Sequence, residues 1–177
     1  MSQRGILSRI LKRLTGINGA LDPDGSIHPE KRGAVASTTE IPMYTIARRE
    51  SFSDTTFLWD VMAPDVAKSA EPGHFVMLRL HEGSERIPLT VADYDREAGT
   101  VTLVVQALGK TTLEMRDRYK EGDTFTDFVG PLGLPQHVGK FGHVVLVGGG
   151  LGVAPVFPQL RAFKEAGNRT TGIIGFR

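Results

Sequence analysis

With 21 basic and 20 acidic side chains in 177 residues, the chain lacks the basic excess that marks nucleic-acid binders. It has no cysteine, which excludes disulfides, thiolate-bound zinc, iron–sulfur ligation and thiol catalysis from these residues. No apolar run approaches the ~20 residues that span a bilayer, there is no transmembrane segment, and a cytoplasmic protein is expected.

Residues 1–41 read as an extension. Ile6, Leu7, Ile10, Leu11 and Leu14 recur at helical spacing beside Arg4, Arg9, Lys12 and Arg13, the pattern of a short cationic amphipathic helix. Gly16, Gly19, Pro23, Gly25 and Pro29 then break regularity, so residues 16–33 read as a linker. Docking on a partner protein, lying on a membrane surface and simple solvation all fit such a segment.

Residues 42–140 are strand-rich, with extended stretches expected at 43–49, 55–62, 74–80, 89–93, 100–106 and 124–129. Pro72-Gly73, residues 95–99 and Gly122-Asp123 punctuate them, and one helix is expected over 112–119. Short strands at even spacing with a single helix predict a closed antiparallel barrel. Residues 141–177 change character: an apolar strand at 143–147, a glycine-rich turn at 148–155, a helix at 156–166 and a strand at 171–176. That is one βαβ unit of a parallel sheet. A parallel sheet needs helices on both faces, so this α/β domain is expected to be cut short. The fold class is α+β, a barrel followed by an incomplete nucleotide-binding unit.

Three motifs carry possible chemistry. Arg86-Ile87-Pro88-Leu89-Thr90 opens a strand, where an arginine offers a phosphate a fixed fork of donors or simply sits as a solvated rim residue. Pro88 suits a strand start or edge, because it has no N–H for a ladder. Gly109-Lys110-Thr111-Thr112 lies at a strand-to-helix junction. There Thr111 and Glu114 fit a capping box, and free N–H groups at the same helix start fit an anion. Gly148 to Pro155 (GGGLGVAP) follows a buried strand and precedes a helix. The strict dinucleotide fingerprint fails, since Val153 or Pro155 falls where the last glycine belongs. The context still favours a nucleotide phosphate over a plain tight turn, and Arg177 at the end of the second strand would suit a 2′-phosphate.

In this order the motifs resemble the ferredoxin–NADP reductase superfamily. Within it, RIPLTVADYD (86–95), VVQALGKTT (104–112), VGPLGL (129–134) and VGGGLGVAP (147–155) look most like the flavin (alpha) subunits of NADH-dependent reduced ferredoxin:NADP oxidoreductase, also called sulfide dehydrogenase. Dihydroorotate dehydrogenase electron-transfer subunits come next, and the likeness begins at Met43. The resemblance implies an FAD-binding barrel followed by an NAD(P)H-binding domain. It implies that Arg86, Pro88, Leu89 and Thr90 line the flavin and its phosphate side, with Val105 and Gln106 on the ring or ribityl chain. Gly109, Thr111 and Thr112 would hold the diphosphate, and Gly149, Gly150, Gly152, Ala154 and Pro155 would face the nicotinamide. It implies a flavin-dependent oxidoreductase or electron-transfer subunit, with no side-chain acid or base needed. The expected partner is a larger flavin or iron–sulfur subunit or ferredoxin. A non-catalytic FAD-binding or assembly module completed by another chain is the alternative. Family members continue to a cysteine cluster holding an iron–sulfur centre; with no cysteine, none is expected in this chain.

Overall fold

A computed structural model describes residues 44–175. The amphipathic stretch at 6–14, the linker at 16–33 and Arg177 lie outside the described residues.

Six antiparallel strands run β1 (Thr45–Ser51), β2 (Thr56–Met62), β3 (Phe75–Arg79), β4 (Ile87–Asp95), β5 (Thr100–Gln106) and β6 (Asp127–Leu132). Their order in the sheet is β1-β2-β5-β4-β3-β6. Residues 122–126 bring its two ends together: Thr45 bridges Thr124, Ile46 N–H donates to Asp123 O (2.9 Å), and Thr126 N–H donates to Arg79 O (3.1 Å). That closing role explains why β6 begins at Asp127 although an extended stretch was expected from Thr124. The barrel is lined by Ile46, Phe57, Trp59, Val61, Val76, Leu78, Val91, Leu103 and Met115, with Trp59 stacked on Phe125 at 5.9 Å. β2 is buried on both faces, as its near-continuous apolar run demands of a central strand.

The barrel carries two helices rather than the one expected. α1 (Pro64–Ser69) starts on a proline and buries Val66 and Ala67 at the barrel's end. It is too short to show helical periodicity in sequence. α2 (Lys110–Arg118) follows β5 and places Met115 in the core. Its far end is held by Arg49, whose guanidinium donates to Arg116 O and Tyr119 O, both at 2.7 Å.

β7 (His143–Gly149), α3 (Val153–Glu165) and β8 (Arg169–Gly175) form a right-sized βαβ unit, with β7 and β8 paired in parallel. Helix α3 starts three residues earlier than expected and accommodates Pro158 within it. Asn168 pins the entry to this unit: its Oδ1 accepts from Phe141 N (2.6 Å) and Gly142 N (3.0 Å), and its Nδ2 donates to Gly139 O and Phe163 O, both 2.8 Å. Helix α3 covers one face of the two-stranded sheet. The other leaves Val145, Val147 and Ile173 exposed. Helix α3 also lies against the barrel, where Phe157, like Val104, packs on Phe52 and Leu58.

Candidate functional site

β4 and β5 pair only over Val91 to Asp95 and Thr100 to Leu103 among the described residues. Ahead of Val91, β4 turns to β3, with Leu89 opposite Val76 and Pro88 opposite Met77. Beyond Leu103, β5 stays with β2, with Val105 opposite Phe57 and Gln106 opposite Thr56. The barrel wall therefore opens into a wedge between residues 88–90 and 104–106, flanked by two strand edges that no strand pairs among the described residues. Backbone N–H and C=O groups along such edges are obligatory hydrogen-bonding groups and accept a ligand as readily as a strand. Pro88 and Thr90 are exposed, Leu89 and Gln106 are half-buried, and Val105 is 2% exposed within the core. The side chain of Val105 is thus packed inward, and this residue offers the wedge its backbone.

The helix start beside this wedge is built differently from the expected capping box. The N-cap is Gly109, not Thr111, and the hydroxyl of Thr112 does the capping. It accepts from Leu108 N (3.1 Å) and Gly109 N (3.0 Å) and donates to Gly109 O (3.0 Å). Thr111 is buried at 6% and Glu114 is engaged elsewhere, with His81 and Arg118. The threonine spacing permits either cap; Thr111 is claimed by the core. With the Thr112 hydroxyl taken by the cap and Thr111 buried, this turn presents its backbone outward: the first N–H groups of a helix have no intrahelical acceptor. A Cβ on Gly109 would meet only Thr112 Oγ1, at 4.0 Å, so a ligand can come close to the chain here.

Arg86 stands at the mouth of β4 with its side chain 56% exposed, yet it is not merely solvated. Its Nη2 donates to Asp127 Oδ2 at 2.8 Å. Arg79 Nε lies 2.8 Å from the same oxygen, out of line for a hydrogen bond but within ion-pair range. Three neighbouring strand ends thus gather two guanidinium groups on one carboxylate and keep one positive charge in excess. The loop leading to Arg86 is tied to α2 by His81 Nε2, 3.2 Å from Glu114 Oε1. The loop that carries Arg86 and the helix α2 are therefore held together by their own side chains.

In the glycine-rich turn, Gly149 ends β7, Gly150 to Gly152 form one turn of 3₁₀ helix, and α3 begins at Val153. Gly150 takes φ +54°, and a Cβ at Gly150 or Gly152 would meet nothing within 4 Å, so this backbone lies open. Gly148 does the opposite work: a Cβ there would stand 3.2 Å from Gly152 O and from Val153 Cα. Its missing side chain lets helix and strand approach. Ala154 is 3% exposed and belongs to that packing, whereas Pro155, in the first turn of α3, is half-buried. The motif residues so form two groups, wedge with helix start and glycine-rich turn.

A feature absent from the sequence reading joins these groups. Arg161 on α3 reaches β4 and sets Nη2 2.7 Å from Asp93 Oδ1, a carboxylate fully shielded from solvent. The guanidinium also lies over the rings of Tyr94 (5.4 Å) and Phe157 (5.5 Å). Burial opposes its charge, but the Asp93 carboxylate and Tyr94 outweigh that, and the pKa of Arg161 stands above its ordinary value. Only a β-bulge makes this contact possible. Val91 pairs with Leu103 and Asp93 with Thr102, so Ala92 is an extra residue that shifts the alternation. Without it, Asp93 would share the inward face of Leu89 and Val91. A shallow depression lined by Arg49, Ser51, Lys120 and Glu121 contains none of the motif residues.

No family model matches the chain. The dihydroorotate dehydrogenase B (NAD(+)) electron transfer subunit homolog of Thermotoga maritima is 48% identical over 132 residues, covering 75% of this chain and 46% of that protein. A solved structure of NADH-dependent reduced ferredoxin-NADP oxidoreductase superposes with a TM-score of 0.74 at 46% identity, covering 77% of this chain and 49% of that one. An Amycolatopsis cytochrome P450 reductase gives a TM-score of 0.60 at 26% identity, over 75% of this chain and 42% of its own. The chain spans about half the length of the relatives it matches.

Proposed function

We propose that this chain, which belongs to the ferredoxin–NADP reductase superfamily, holds FAD in the wedge between β4 and β5 and serves electron transfer between NAD(P)H and a partner subunit or protein. The observation that carries the reading is the parting of β4 from β5 beside an arginine and an open helix start. Pro88, Leu89 and Thr90 would flank the flavin ring on one side and the backbone of Val105 and Gln106 on the other. Arg86 and the first N–H groups of α2 would share the diphosphate, whose charge suits both a guanidinium fork and a helix N-terminus. When bound, FAD supplies the chemistry: two electrons accepted as hydride from a reduced nicotinamide and single electrons passed on. The chain's own residues bind and orient, and none needs to move a proton. The open backbone at Gly149, Gly150 and Gly152, with Pro155 behind it, would approach the nicotinamide dinucleotide. Arg161 and Asp93 would fix that turn relative to the wedge.

A second reading, a non-catalytic FAD-binding or assembly module, draws on the bare face of the β7–β8 sheet. Val147 is 69% exposed and Ile173 53%, as expected of a sheet meant to be covered by further elements. In this reading another chain supplies the cover and the rest of the nicotinamide site. One experiment separates the two. Apoprotein is titrated with FAD, followed by absorbance, and NADH or NADPH is then added anaerobically. Uptake of FAD with bleaching supports the oxidoreductase, and uptake without bleaching supports the module. No uptake sinks both.

A further inference from the structure

We propose that Asp127 is a positioning residue for flavin binding, fixing the guanidinium of Arg86 for the diphosphate; this rests on the FAD reading above. An arginine that is 56% exposed has a long, mobile side chain, and holding it in one rotamer before a ligand arrives removes an ordering cost from binding. Asp127 can do this because it is itself fixed. It is the register partner of Arg79 across β3 and β6, and the two side chains are both 23% exposed. Arg86 meets Asp127 through Nη2 alone among the described residues, so Nε and Nη1 remain to donate to an anion.

A carboxylate beside a phosphate would ordinarily repel it. Here Arg79, 2.8 Å away, offsets the charge of Asp127, and the cluster of two cations and one anion keeps a net positive charge for the ligand. Without the carboxylate the two guanidinium groups face each other across a neutral side chain and repel. Arg86 would swing outward. The loop that carries it is held independently by Ser84 Oγ donating to His81 O (2.9 Å) and by His81 against Glu114, so the loss falls on the side chain rather than the backbone.

The test measures dissociation constants of FAD, FMN and riboflavin by fluorescence on the apo form of the full chain. Asp127→Asn is expected to weaken FAD and FMN about fivefold or more and to leave riboflavin, which has no phosphate, within about twofold. Arg86→Ala should cost FAD about tenfold with Asp127 present and under about threefold in the Asp127→Asn background, because the arginine there is already misplaced. Asp127→Glu, which keeps the charge, should recover most of the loss and also serves if Asp127→Asn folds poorly. Equal loss for riboflavin, undiminished FAD affinity in Asp127→Asn, or an equal cost of Arg86→Ala in both backgrounds overturns the proposal while leaving the FAD reading intact. A wild-type chain that takes up none of the three flavins overturns both.

Discussion

Replacing Arg161 with methionine tests the joint between the barrel and the βαβ unit. The substitution keeps an unbranched, apolar side chain over Tyr94 and Phe157 while removing the cation from a carboxylate with no solvent exposure. Two unit charges about 4 Å apart attract by about 4 kcal/mol at an effective dielectric constant near 20. Removing one member of a buried pair costs about 3–5 kcal/mol. Arg161 is itself one-third exposed, which places the expectation at the low end, about 3 kcal/mol. Urea unfolding can be followed through Trp59, the single tryptophan of the chain, which lies in the barrel core. With a slope of about 2 kcal/mol per molar urea, the midpoint should fall by about 1.5 M. Adding Asp93→Asn to Arg161→Met should recover part of that loss, since a neutral buried pair carries no stranded charge. A single variant within about 0.5 kcal/mol of wild type would refute the reasoning, for a change that small is usual at an ordinary surface site.

Asn168→Ala deletes a side chain that makes four hydrogen bonds to backbone and should destabilise the chain by about 2–4 kcal/mol, measured by thermal or urea unfolding. Thr112→Val keeps the shape but loses the hydroxyl that caps α2; stability should fall by about 1 kcal/mol. The same variant should bind FAD more weakly, read by flavin fluorescence. Tyr119 is held above its ordinary 10.0 by burial first, then by Glu114 and Asp123. A pKa raised in the folded state contributes stability below the unfolded value and loses it as pH rises through the folded one. Stability should therefore decline above about pH 10, and Tyr119→Phe should make that decline shallower.

Much of the architecture was legible because its signals are local. The strand 100–106 coincides with the expectation, since a β-branched run between turn residues can pack only as a buried strand. The glycine-rich turn between an apolar strand and a helix was equally plain. What escaped depends on contacts distant in sequence. The cap of α2 moved from Thr111 to Gly109 with Thr112 because the core claims Thr111, and spacing alone does not tell which threonine the barrel will bury. Asp93 looked like one polar residue in a strand; the bulge at Ala92 turns it outward to meet Arg161, 68 positions later. The signal was there in weak form, as an acid within an apolar run requires a partner. Asp127 gave less warning, for its role appears only when β3, β4 and β6 set Arg79, Arg86 and Asp127 side by side.

The wedge itself is most directly tested by amide hydrogen exchange with and without FAD. Exchange should slow at residues 89–90, 105–106 and 110–112, with little change around Arg49 and Glu121. Protection confined to the depression near Arg49, or bound FAD that leaves the edges of β4 and β5 as open as before, would contradict it.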